Sequence, residues 1–379
     1  MNPWDNPKLG YYRVGNSTMV SKITAFEEGT KQNIHPTWHF DDHIWNAQDW
    51  KTEPQIDILE LYKMRARQIR DTYDIVVIDY SAGSDSQTIV NAFLDSGCFI
   101  DEIVTVWNST IDNNVTQNSA DPTNIENEFK HTTAPGINEI LKRSPKTNIN
   151  YIDISEQAIQ SYNHREDYTW IYQTAEHLNP IYQTRWDPTI KKPIQQILDT
   201  GKSVAFVSGI DKPRVTIKDG KYALYFIDSL VNNGKIAKPG HMYDNYDKVY
   251  FFWSSDFPEI VIKQAHLVRK WFKANPGLEP MLNWGTKTYD NLRVYETLVR
   301  SIVYPEWPVN TFQCLKVTSP IWTEWDNYFW KNFGNKDEGK QWFAGIEYIV
   351  NNIDHKYLDF KDGRLNNFTG MINGLFEIE

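Results

Sequence analysis

Cysteine is nearly absent: Cys98 and Cys314 are the only two in 379 residues, far apart and in no C-x-x-C pair. That excludes a disulfide framework, a four-cysteine zinc site and a cysteine-held iron–sulfur cluster. Basic charge is also short, with 39 Lys and Arg against 49 Asp and Glu and a formal net charge of −10. Such a chain is no general nucleic-acid binder, although a local basic groove stays open. No apolar run reaches the roughly 20 residues that cross a bilayer. The opening Met1-Asn2-Pro3-Trp4-Asp5 has neither a basic n-region nor an apolar h-region, so no secretory signal is expected. These absences predict a soluble, cytoplasmic protein in which the sequon Asn108-Ser109-Thr110 is accidental.

Aromatic residues, by contrast, are plentiful, with 15 Trp, 21 Tyr and 18 Phe. Rigid rings build compact cores, and they also line pockets for bases or sugars. The length suits two or three domains. Residues 1–56 are polar and aromatic with weak periodicity, which predicts an irregular N-terminal cap. Over 57–72, Ile58, Leu59, Leu61, Tyr62, Met64 and Ile69 recur at roughly helical spacing, with Arg65, Arg67 and Arg70 between them. Ile75-Val76-Val77-Ile78 then reads as a buried parallel strand. Helical patterns at 86–94, 124–142 and 188–199 alternate with strand patterns at 103–106, around Ile152 and at Val204-Ala205-Phe206-Val207. Pro135 and Gly136 break the second of those helices. Alternation of this kind predicts an α/β domain over 57–215, built on a parallel sheet of Rossmann-like type. Beyond it, Val215–Ile217 and Tyr222–Phe226 flank Asp219-Gly220, a hairpin signature. An aromatic-rich, mainly helical region closes the chain, so residues 216–379 read as a hairpin plus a substrate region.

The segment that points to chemistry is Asp79-Tyr80-Ser81-Ala82-Gly83-Ser84-Asp85-Ser86-Gln87-Thr88, between a buried strand and a helix. Small residues there leave backbone N–H groups free at a helix N-terminus, where they and the helix dipole suit phosphate. Asp85 sits badly beside phosphate unless a divalent cation lies between them. The same residues also read more plainly, as a serine-rich turn with Asp85 as a helix cap.

Ser81 to Ser86 resembles the S-G-G-x-D-S loop of the PP-loop ATP pyrophosphatases. Ser81, Gly83, Asp85 and Ser86 match that pattern, and Ala82 stands at the usual first glycine. The resemblance implies a PP-loop core in which Ser81, Ala82, Gly83, Ser84, Asp85 and Ser86 bind the β–γ pyrophosphate of ATP and Asp85 helps hold Mg²⁺. It implies that backbone near Val106 reads adenine. Gly209-Ile210-Asp211-Lys212-Pro213-Arg214 looks like the basic stretch of the phosphoadenosine phosphosulfate (PAPS) reductase branch, which makes Gly209 a binding residue and Lys212 and Arg214 catalytic cations. Arg65-Ala66-Arg67-Gln68-Ile69-Arg70 and the segment from Phe252 to His266 resemble phage-encoded PAPS-reductase-like proteins, which would place the protein in a host cytoplasm.

Within that superfamily the chain lacks a reductase cysteine motif, paired thiolation cysteines, a four-cysteine zinc site and a cysteine after Met1 for a glutaminase. What survives is adenylation of a carbonyl or carboxylate oxygen, with pyrophosphate released and an amine or other nucleophile attacking next. Two other readings stay open: a nucleotide-binding sensor or complex subunit without turnover, and an enzyme acting on nucleic acid. The acceptor and the oligomeric state are not named by any residue pattern. Glu126 and Glu128 either reach metal or substrate or complement a helix dipole. Lys263, Gln264 and His266 either line a substrate pocket or lie on a capped helix. His35, His39 and His43 recur at four-residue spacing; on one helix they would align as zinc ligands, and otherwise they are structural.

Overall fold

The computed structural model describes residues 7–107, 129–153, 169–172, 196–228, 237–238, 241–242, 244–285, 289–307, 336–361 and 363–379. Glu126 and Glu128, and most of the helix expected at 188–199, lie outside them.

The N-terminal segment is more regular than its weak periodicity predicts. Strands β1 (Tyr11–Val14), β2 (Ser17–Met19) and β3 (Thr37–His39) form an antiparallel sheet in the order β2-β1-β3. Helix α1 (Lys22–Gln32) starts where the Ser21 hydroxyl accepts from Thr24 N, and α2 (Asp42–Trp45) is a single turn. Strands of three or four residues hold too few alternations to stand out in a polar sequence.

Helix α3 (Ile58–Thr72) begins at Asp57, whose carboxylate accepts from Leu59 N. Strand β4 (Ile75–Asp79), α4 (Ser84–Asp95) and β5 (Glu102–Trp107) follow. A π-helical turn at Phe129–Thr133 leads into α5 (Ala134–Arg143), with Pro135 in its first turn, where a missing N–H costs nothing. Next come β6 (Asn148–Asp153), β7 (Val204–Ser208) and the hairpin β8 (Arg214–Lys218) and β9 (Lys221–Tyr225). Asp219 and Gly220 both take positive φ, 53° and 78°, as a two-residue hairpin turn requires. The two-residue strands β10 (Ala237–Lys238) and β11 (His241–Met242) precede β12 (Tyr246–Tyr250). Helices α6 (Glu259–Ala274), α7 (Tyr289–Val303) and α8 (Asp337–Asn352) come before β13 (Leu358–Lys361), β14 (Arg364–Phe368) and β15 (Phe376–Glu377), which pairs with β9.

The central sheet has five strands in the order β12-β7-β4-β5-β6, every pair parallel. This is a Rossmann-like α/β arrangement, and its fifth strand comes from beyond residue 215. From β4 the chain winds outward through β5 and β6, then returns to the other side of β4 for β7 and β12. The direction of winding therefore reverses between β4 and β7, and open α/β sheets bind ligands in the crevice at the carboxyl ends of such strands. On the helical side α3 packs against α4 and α6, and α6 against α7.

Much of the aromatic content goes into a core that ties the termini to this domain. The Phe226 ring meets Trp45 at 4.5 Å, Trp253 at 5.1 Å and Phe40 at 5.2 Å between centroids. Trp50 stacks on Phe376 at 4.7 Å. Among the described residues no helix is long and apolar enough to cross a membrane.

Candidate functional site

The Ser81–Ser86 loop lies at the carboxyl end of β4, beside the reversal point. Its hydroxyls organise its own backbone. Ser86 Oγ accepts from Ser81 N and donates to Gly83 O, both at 3.3 Å, and Ser81 Oγ accepts from Gly83 N at 3.4 Å. From α5's side, Thr133 Oγ1 donates to Ser81 O at 2.7 Å. Ala82 has φ of +56°, in the left-handed region that glycine adopts freely and other residues enter at a cost of about 1–2 kcal/mol. A glycine would suit this position, and alanine is the next smallest side chain.

Gly83 is the N-cap of α4 and contributes no side-chain cap. The N–H groups of Ser84, Asp85 and Ser86 in the first turn have no intrahelical acceptor by construction. They point out of the helix end, where its dipole is positive. Gly209 follows β7 and lies flush on this turn: a Cβ there would sit 2.7 Å from Asp85 Cβ. Only glycine permits that approach, which brings the two strand ends together.

The Asp85 carboxylate is held from both sides. Lys212 Nζ donates to Oδ2 at 2.8 Å and Tyr304 OH donates to Oδ1 at 2.6 Å. Lys212 also lies 3.5 Å from Asp211, whose other oxygen is 3.3 Å from Arg214; Arg214 in turn meets Glu296 at 3.0 Å. Lys212 is 9% exposed at its side chain and Asp85 24%. Burial alone would push the Lys212 ammonium down, but the Asp85 and Asp211 carboxylates outweigh it and hold the group above the ordinary lysine value. Burial would likewise raise Asp211; Lys212 and Arg214 override it and keep this carboxyl below its ordinary value. Burial and then Asp85 push the Tyr304 phenol well above the tyrosine range, so it stays a hydrogen-bond donor.

The structure thus brings Ser81–Ser86, Gly209 and Lys212 into one crevice. Arg214 lies behind it, engaged with Asp211 and Glu296. Val106 is the penultimate residue of β5, the parallel neighbour of β4. Tyr304 and Glu296 carry no motif and escape sequence reading. Glu296 arrives on α7 and Tyr304 just after its last residue; the helix docks on the 209–215 segment as Tyr295 OH donates to Pro213 O at 2.7 Å and accepts from Val215 N at 2.8 Å.

The other candidates lie elsewhere. Lys263 pairs with Glu53 at 2.8 Å, Gln264 donates to Tyr62 OH at 2.9 Å, and His266 Nε2 lies 2.9 Å from Trp50 O. All three are packing contacts of α6. Arg65 is buried and donates to Tyr250 O and Ser254 Oγ, while Arg67 pairs with Glu60 and Arg70 with Asp101. His39 ends β3 against Asp42 and His43 is in α2 against Asp41, so the three histidines share no helix. Cys98 is a free thiol. A cavity of about 160 Å³ runs along edge strand β12, lined by Arg65, Tyr73, Tyr250 and Ser254, away from the loop. Its lining also carries the charged residues Lys8, Asp247, Lys248 and Asp256, and none of Ser81–Ser86. No family model, no curated protein and no solved structure matches the chain.

Proposed function

We propose that the chain binds Mg-ATP at the Ser81–Ser86 loop and splits it between the α and β phosphates, transferring AMP to an oxygen of an acceptor. The observation that carries this reading is the uncapped N-terminus of α4 at the reversal point of a parallel sheet, with Asp85 in its first turn and Lys212 against it. The first-turn N–H groups and the helix dipole suit the β and γ phosphates. Asp85 uses one acceptor site on each oxygen for Tyr304 and Lys212, and a carboxylate offers about four. It therefore retains capacity for a cation. Among the described residues no group of three or more His, Cys, Asp or Glu could hold a metal. Mg²⁺ commonly relies on one or two carboxylates plus substrate phosphates, so Asp85 fits it without a protein cage.

When bound, Mg²⁺ would screen the pyrophosphate charge and polarise its oxygens. The chain's own part is positional and electrostatic. Loop N–H groups orient the β,γ end, leaving the α phosphorus toward the open crevice. An acceptor oxygen attacks there, the bond to the bridging oxygen breaks, and pyrophosphate departs with that electron pair. Lys212 stabilises the departing charge from a site largely closed to water. An amine or other nucleophile then displaces AMP from the activated acceptor.

Incubating the purified protein with α-labelled ATP, with and without nucleic acid or a small-metabolite extract, is expected to give labelled AMP and unlabelled pyrophosphate. Labelled ADP and free phosphate would contradict the reaction. Binding without any product would instead support a nucleotide-binding protein without turnover.

A further inference from the structure

A chain of ion pairs runs from the crevice to the residues behind it: Asp85, Asp211 and Glu296 are linked through two cations, Lys212 and Arg214. Three negative charges against two positive leave this cluster at −1. Both cations are shared with acids, so neither offers its full charge to an incoming polyphosphate. Arg300 differs. It lies on the last turn of α7, one helical turn before Tyr304, so the two residues occupy the same face. Tyr304 OH touches Asp85 on that face. The Arg300 charge is near enough to Lys212 to disfavour its protonated form. Among the described residues Arg300 makes no ion pair; its Nε, like that of Arg214, is buried without a hydrogen-bond partner, and Glu296, the acid one turn before it, is taken by Arg214. A half-buried guanidinium left without an acid, one turn from the tyrosine that reaches Asp85, is a group open to an anion.

We propose that Arg300 is the phosphate-binding arginine of this site, closing on the β,γ-pyrophosphate from α7 while Lys212 and Arg214 hold the acidic framework in place. The assignment rests on the Mg-ATP reading given above. A guanidinium presents a planar fork that matches two phosphate oxygens, which an ammonium cannot do. The C-terminal helical region thereby supplies a ligand to the nucleotide as well as a wall.

The test is calorimetric titration of wild type, Arg300→Gln and Arg300→Lys with Mg-ATP, with Mg-pyrophosphate and with AMP. Losing a charge-assisted contact should weaken Mg-ATP and Mg-pyrophosphate binding about 10- to 100-fold in Arg300→Gln. AMP affinity and the thermal midpoint should stay at wild-type values, and Arg300→Lys should recover part of the loss. Wild-type pyrophosphate affinity in Arg300→Gln would overturn the assignment, as would an equal loss for AMP, which marks a structural role. Wild type that binds neither Mg-ATP nor Mg-pyrophosphate would sink the site reading itself, a result distinct from a normal wild type with an unaffected Arg300→Gln.

Discussion

Asp85→Asn is expected to cut AMP transfer by about a hundred- to a thousandfold, the usual loss when one preorganised contact to a transition state is removed. The substitution keeps the shape of the side chain. Tyr304 can still donate to its Oδ1, and Gly209 still fits against its Cβ. Lys212 keeps Asp211 as a partner. What disappears is the negative charge that would hold Mg²⁺. The defect should therefore appear as a raised Mg²⁺ requirement together with a lower maximal rate, at an unchanged circular-dichroism spectrum. Rates measured over a Mg²⁺ series would check it; an Asp85→Asn protein turning over at the wild-type rate at low Mg²⁺ would remove Asp85 from the chemistry.

Lys212→Ala should act on stability before it acts on activity. It strips Asp85 of one donor and Asp211 of one of its two cations inside a largely closed site. Breaking a buried pair by removing one member costs about 3–5 kcal/mol, and the partial exposure of Asp85 places the expected loss toward the lower end. Urea unfolding of both proteins gives the number. Adding Asp85→Asn to Lys212→Ala should restore part of the loss, because one stranded charge is then gone. Sign and pH window follow from the two shifts. Lys212 is raised, so its contribution is complete below the ordinary lysine value and is lost as pH climbs through the folded one. Asp211 is lowered, so its contribution is complete above the ordinary carboxylate value and is lost as pH falls through its folded one. The stability difference between wild type and Lys212→Ala should therefore be flat through neutral pH and shrink toward both extremes. A difference below about 1 kcal/mol at neutral pH would mean that the pair is solvated, as exposed salt bridges are.

The α/β core was legible because β4, β5 and β7 are runs of β-branched and apolar residues, buried on both faces, between helices with clear apolar stripes. The loop was legible because a strand-to-helix turn made of small residues is a local pattern. Strand β12 was not, because Tyr246-Asp247-Lys248-Val249-Tyr250 sits at the sheet edge and mixes charge with aromatics. The site's other half was hidden for a different reason. Tyr304 lies 219 positions from Asp85, and nothing local to either residue announces their contact. The basic pair was visible at Lys212 and Arg214, but the acids that occupy it come from three separate elements, so its commitment could be seen only in three dimensions.

The central claim is that the first-turn amides of α4 bind phosphate, and amide hydrogen exchange reads those amides directly. Exchange should be followed with Mg-ATP, with Mg²⁺ alone and with no addition. The account predicts that Mg-ATP slows exchange at Ser84, Asp85 and Ser86, that Mg²⁺ alone does not, and that the β12 edge around Ser254 is unaffected. Unchanged exchange at those three amides under saturating Mg-ATP, or protection confined to the β12 edge, would contradict it.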